Sequence, residues 1–141
     1  MKSKTLNKDV VVSVMKANNC IMDKLARGLK PFGLSIQQFN VLRILRGQQD
    51  NILNLNEITN RMIHKMSNTT RLVDKLIDKL LVKRVVCPEN RRRVNISITD
   101  KGLNLLSQID LVIQEFENEI IHSLSEEEKN TLLNLLIKIK S

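Results

Sequence analysis

The chain has no Trp and no Tyr, and Phe32, Phe39 and Phe116 are its only Phe residues. Proteins that grip single strands or read RNA loops stack bases on aromatic side chains, so that class is set aside. There are two Cys, and no signal peptide is read at the start. A disulfide framework is therefore not expected, and a soluble protein in a reducing cytoplasm is. The apolar run at 10–14 is interrupted by Ser13, far short of the ~20 residues a bilayer span takes. The sequence has no Gly-rich phosphate loop, no nucleophile elbow and no paired histidines. His64 and His122 each lack a second His or Cys three or four positions further on, as a metal site would need. No enzyme, metal or cofactor is expected.

What is present is charge, and it is segregated. The net charge is +8 over 141 residues. Positions 1–55 hold 9 Lys/Arg against 3 Asp/Glu, 56–101 hold 11 against 5, and 102–141 hold 3 against 7. A basic body and an acidic tail point to one surface for a polyanion and another for something else. An apolar content of 42% is enough for one core.

Apolar residues at helical spacing (Val11, Val14, Ile21, Leu25, Leu29) predict a helix over 7–29, although positions 10–12 would also suit the start of a strand. Gly28, Pro31 and Gly33 end that helix. Ser35 and Gln38 form a capping box for a helix that turns Phe39, Leu42 and Leu45 inward and stops at Gly47. A polar connection follows over 48–53. Asn56 can cap a short helix with Ile58 and Met62 apolar, and Ile63 is a weaker third. After a break at 64–66, Ser67 can cap another, with Leu72, Val73, Leu76, Ile77 and Leu80 as its buried stripe.

From Val82 the period changes to two. Val94, Ile96 and Ile98 alternate with polar residues, and 82–87 can pair with them around a tip at 88–91. Thr99 or Asp100 then caps a long helix with the seam Leu103, Leu106, Ile109, Ile113, Phe116 and Ile120, of coiled-coil type. Ser125 and Glu128 repeat the capping box for a last helix lined by Leu132, Leu135, Leu136 and Ile139. The fold class is mainly α with a small β-wing.

Two short helices, a tight turn and a two-stranded ribbon make a winged helix-turn-helix pattern. The buried stripe of the second helix leaves Ser67, Asn68, Thr70, Arg71 and Lys75 outside, near its N-terminal end. A recognition helix reads major-groove base edges with such groups, Arg toward guanine and Asn toward adenine. The plainer reading of this helix alone is a solvated amphipathic face. The hairpin decides between them, because Arg91, Arg92 and Arg93 are consecutive on a narrow ribbon that can reach a minor groove and its phosphates.

Residues 67–84 (SNTTRLVDKLIDKLLVKR), the wing ENRRRVNISIT and the following Asp100-Lys101-Gly102 resemble the multiple-antibiotic-resistance regulator (MarR) family over nearly the whole chain. The resemblance implies a single domain over 1–141. A DNA-binding lobe would occupy about 35–101, and dimerisation helices about 7–30 and 102–141. It also implies a minor-groove arginine, which falls by position on Arg92. The family's Asp-Arg-Arg triplet here reads Asn90-Arg91-Arg92, so its first member can hydrogen-bond but carries no charge. Leu80 stands where the family usually has Gly. Asp74 is expected to be structural, since phosphates repel a carboxylate.

The terminal helices carry more apolar seam than one small domain covers, so a homodimer on a pseudo-palindromic double-stranded operator is expected. The resemblance implies a repressor released by an effector held between the dimer helices and the lobe, and an apolar or phenolic molecule would suit Leu, Ile and Met there. The competing reading is an architectural or protein-interaction module without an effector. Cys20 has two readings, a buried inert thiol and, as in some relatives, a redox sensor. Cys87 reads as the former.

Overall fold

The computed structural model describes residues 2–63 and 68–139, apart from the side chains at 2, 3, 49 and 91. Helix α1 (Lys2–Leu29) starts earlier than the periodicity predicts and includes 10–12 in helical form. Gly28 lies inside it. The chain turns instead through a 3-10 segment, Lys30–Phe32, closed by Gly33 at φ 71°, where a side chain would be strained.

Helix α2 (Ile36–Arg46) starts on the predicted capping box. Ser35 Oγ accepts from the Gln38 amide and Gln38 Oε1 from the Ser35 amide, both at 3.1 Å. Phe39, Leu42 and Leu45 are buried.

The polar connection expected over 48–53 is only partly that. Asp50 and Asn51 take left-handed φ of 65° and 56° and lead into strand β1 (Ile52–Asn54). Leu53, opposite Ile96, is its buried residue. Three residues have no readable period, and this strand exists because a distant one offers it hydrogen bonds.

Helix α3 (Leu55–Arg61) is capped by Asn54 and not, as expected, by Asn56. Asn54 Oδ1 accepts from the Glu57 amide at 2.9 Å, and Glu57 Oε2 from the Asn54 amide at 3.2 Å. Ile58 and Met62 are buried, but Ile63 is 73% exposed.

Helix α4 (Thr69–Asp78) carries Val73 and Leu76 into the core, with Leu72 and Ile77 half-buried. Ser67, the predicted cap, lies outside the described residues, as do His64, Lys65 and Met66 of the predicted break. Asn68 fills the role, its Oδ1 accepting from the Arg71 amide at 3.2 Å. Leu80 does not join the buried stripe. It is 66% exposed at φ 63°, and Leu81 enters the core instead. The Leu81 amide donates to Leu76 O at 3.0 Å and the Leu80 amide to Ile77 O at 2.9 Å. That bond pair is a Schellman motif, with Leu80 at the left-handed position that glycine usually fills.

Strands β2 (Val82–Cys87) and β3 (Asn90–Ile98) form the predicted hairpin, and β1 adds to its other side to give the order β1-β3-β2. Helix α5 (Asp100–Ile121) begins on Thr99, whose hydroxyl accepts from the Gly102 amide at 3.1 Å. Gly102 sits hard against the sheet, where a Cβ would meet Leu81 O at 2.4 Å and Ile98 Cγ1 at 2.7 Å.

Helix α6 (Glu126–Ile139) starts on the Ser125–Glu128 box. Accepting from the Ser125 backbone amide, with the Ser125 side chain adding to it, holds the exposed Glu128 carboxyl below its ordinary value.

One core, centred on Leu29, Phe39, Leu45, Ile58, Leu76, Ile96, Leu106 and Ile109, joins α2, α3, α4 and the sheet to the end of α1 and the first half of α5. Beyond it α1 and α6 are uncovered. Val11, Val14 and Met15 lie open, as do Leu132, Leu135, Leu136 and Ile139. Cys20 lies on the same uncovered length of α1. It is exposed in this single chain, contrary to the buried thiol expected from its type, because α1 meets the core only near its C-terminal end. Among the described residues no helix is long and apolar enough to cross a membrane.

Candidate nucleic-acid interface

The stripe that buries Val73 and Leu76 decides what α4 shows to solvent. Asn68, Thr70, Arg71 and Lys75 are all exposed, as the pattern predicts, while Thr69 turns inward. They are not equivalent. The carboxamide oxygen of Asn68 is committed to the cap, whereas the side chains of Arg71 and Lys75 make no ion pair among the described residues. A hollow runs between Gln37, at the start of α2, and Asn68, Arg71, Leu72 and Lys75. Gln37 was missed by sequence reasoning, although the Ser35 capping box was signal enough to place it on an exposed first turn.

Asp74 forms an ion pair with Arg84 on β2, which agrees with a structural role. Both side chains are about half exposed, so the pair contributes only ~0.2–1 kcal/mol and matters more for orientation than for stability. It ties the outer face of α4 to the wing.

The three wing arginines separate. Arg93 leans back toward α3, its Nη2 lying 3.8 Å from Glu57 Oε1. Arg92, on the opposite face by strand alternation, is exposed and makes no ion pair among the described residues. Its backbone amide donates to Asn90 Oδ1 at 3.1 Å. The uncharged Asn90 thus shapes the backbone at the tip and leaves the Arg92 guanidinium alone. The Arg91 side chain lies outside the described residues.

A second feature lies at the other end of the lobe, a groove of about 410 Å3 between α1, α2 and α5. Ile21, Leu25, Ile113, Phe116 and Ile120 make its walls. Arg43 and Glu117 stand at it, and the Arg43 guanidinium lies 5.4 Å from the Phe39 ring centre.

The MarR family profile matches residues 34–94, which hold the exposed face of α4 and the wing arginines but not the α1 and α5 walls of the groove. The HTH-type transcriptional regulator PecS of Dickeya dadantii is 27% identical over 133 residues, covering 93% of this chain and 80% of that protein. Over residues 34–94 the chain matches the MarR family. The proteins it is similar to are transcriptional regulators. Its fold matches the putative MarR-like transcription regulator of Bacillus cereus with a TM-score of 0.86 at 20% identity, over 96% of each chain. A mutant MarR from E. coli, crystallised with operator DNA, matches with a TM-score of 0.83 at 24% identity over 93% of each chain. The two departures from the MarR pattern read from the sequence have visible consequences. Leu80 occupies a left-handed turn, and Asn90 replaces a charge–charge pairing with a backbone hydrogen bond.

Proposed function

We propose that this chain is a MarR-family regulator that binds a pseudo-palindromic duplex operator as a homodimer and acts as a repressor released by an effector. The observation that carries the reading is the exposure of Thr70, Arg71 and Lys75 on α4 together with that of Arg92 on the wing. A helix end bearing a hydroxyl and two cations suits a major groove, and a projecting guanidinium suits the adjacent minor groove. The E. coli relative crystallised with operator DNA supports the assignment by its fold.

The lobe over about 35–101 does the reading in this scheme, and 7–30 with 102–141 hold the dimer. The open leucines of α6 and valines of α1 are the surface that a second copy would cover. Pairing them about a two-fold axis sets the two reading helices about one DNA turn, ~34 Å, apart. The apolar groove beside Arg43 lies where the dimer helices meet the lobe, and an apolar or phenolic effector suits its walls.

Selection of bound fragments from random duplex DNA tests the reading. The expected result is one enriched sequence with two related halves, bound with a steep salt dependence. Enrichment of no common sequence, or binding indifferent to salt, refutes it and favours a non-specific architectural role.

A further inference from the structure

Besides the buried Leu106 and Ile109, helix α5 is joined to the lobe by polar contacts at two places. Near its start the Thr99 hydroxyl donates to Leu80 O at 2.7 Å and Lys101 Nζ to Lys79 O at 3.1 Å. Further along, Arg46 in the last turn of α2 grips Asp110 with both arms, Nη1 to Oδ2 at 2.8 Å and Nη2 to Oδ1 at 3.1 Å. From 101 to 110 is ~13 Å of helix at ~1.5 Å per residue. Among the described residues no other ion pair joins the lobe to α5.

The pair is a poor device for stability, since its side chains are 35% and 43% exposed and such pairs contribute little. It is a good device for direction. Two parallel bonds between a planar guanidinium and a carboxylate fix orientation as well as distance. The buried Leu45 and Ile109, neighbours of the pair in sequence, hold the helices together by a force that is not itself directional, and the fork adds direction to it.

We propose that the Arg46–Asp110 fork sets the angle between the DNA-reading lobe and the dimerisation helices, and so the spacing of operator half-sites that the dimer accepts. The proposal rests on the dimeric reading above. Each base pair added between half-sites moves their centres by ~3.4 Å. A lobe held on α5 by packing and the contacts at its start can shift to follow that displacement more readily than one the fork also orients. Arg46 and Asp110 are then positioning residues that touch no DNA.

The test uses the full chain and the duplex enriched by the wild type from a random pool, with its centre lengthened or shortened by one base pair. The wild type is expected to prefer the parent spacing by about tenfold or more, the cost of displaced base contacts. Arg46→Lys, which keeps the charge but loses the fork, and Asp110→Asn should reduce that preference to about twofold while leaving affinity for the parent within about threefold. The exchange Arg46→Asp with Asp110→Arg should recover the preference, even though an acid in the last turn of α2 opposes the helix dipole. A merely structural pair gives uniform weakening at all spacings with the preference intact, and that result overturns the proposal. So does a charge exchange that folds, by circular dichroism, without recovering the preference. A wild type that enriches no duplex with two related halves refutes the dimeric reading itself, and the proposal with it.

Discussion

Leu80 offers a sharp test of the backbone argument, because two truncations of one side chain should rank in an order opposite to their size. Its φ of 63° costs a residue with a Cβ ~1–2 kcal/mol, and glycine nothing. Against this, glycine loses ~0.4–1 kcal/mol more chain entropy on folding than alanine. The glycine variant should therefore exceed the alanine variant in stability by ~0.5–1 kcal/mol. The Leu80 side chain is 66% exposed, so either truncation forfeits about a third of a full leucine burial, ~0.5–1 kcal/mol. For Leu80→Gly the two effects nearly cancel, and for Leu80→Ala only the loss remains. No hydrogen bond of the turn uses the Leu80 side chain, so all of them survive both changes. Urea and thermal unfolding followed by circular dichroism, at one protein concentration, should place Leu80→Gly close to the wild type. Leu80→Ala should lie below it by ~2–5 °C in Tm. An alanine variant more stable than the glycine variant by ~0.4–1 kcal/mol would show that the left-handed turn carries no strain.

Three further outcomes are expected. Gly102→Ala should destabilise by ~1–3 kcal/mol or more in the same assay, because the new methyl meets the backbone oxygen of Leu81 and not a side chain that can yield. Glu128 ionises below its ordinary value of 4.5 when folded, so its contribution is present above the unfolded value and lost as pH falls through the lower, folded one. Glu128→Gln should correspondingly flatten the dependence of stability on pH below about 4.5 and leave the neutral range with a constant offset. On the enriched duplex, Arg71→Ala should change base preference, by ~1–3 kcal/mol if its contact is bidentate, whereas Arg92→Ala should weaken all sequences more evenly. Titrations in which neither variant differs from the wild type would refute the docking.

What could be read from the sequence was what is decided locally. Ser35 with Gln38, and Ser125 with Glu128, start helices where predicted because a cap and its N3 partner lie three residues apart in the chain. The stripes of α2 and α5 follow the helical period for the same reason. Strand β1 was hidden, since its only justification is β3, some forty positions away. The cap of α3 was legible and misread. Asn54 and Glu57 stand in the same three-residue relation as the other boxes, and Asn56 has no such partner. Leu80 was misassigned because periodicity counts apolar side chains and takes no account of where the helix stops. The exposure of Cys20 was unreadable, as residue type speaks to average burial and not to how far a helix extends past its core.

Glu57 is a joint whose two duties cannot be severed by the usual truncation. The same carboxylate that starts α3 receives Arg93 from the wing. An alanine there would unseat a helix N-terminus and release an arginine at once, and the resulting defect would be booked to the ribbon although half of it arises in the body. Glutamine, which preserves the box but removes the charge, separates them. The wing and the first helix of the motif therefore have to be studied as one mechanical part.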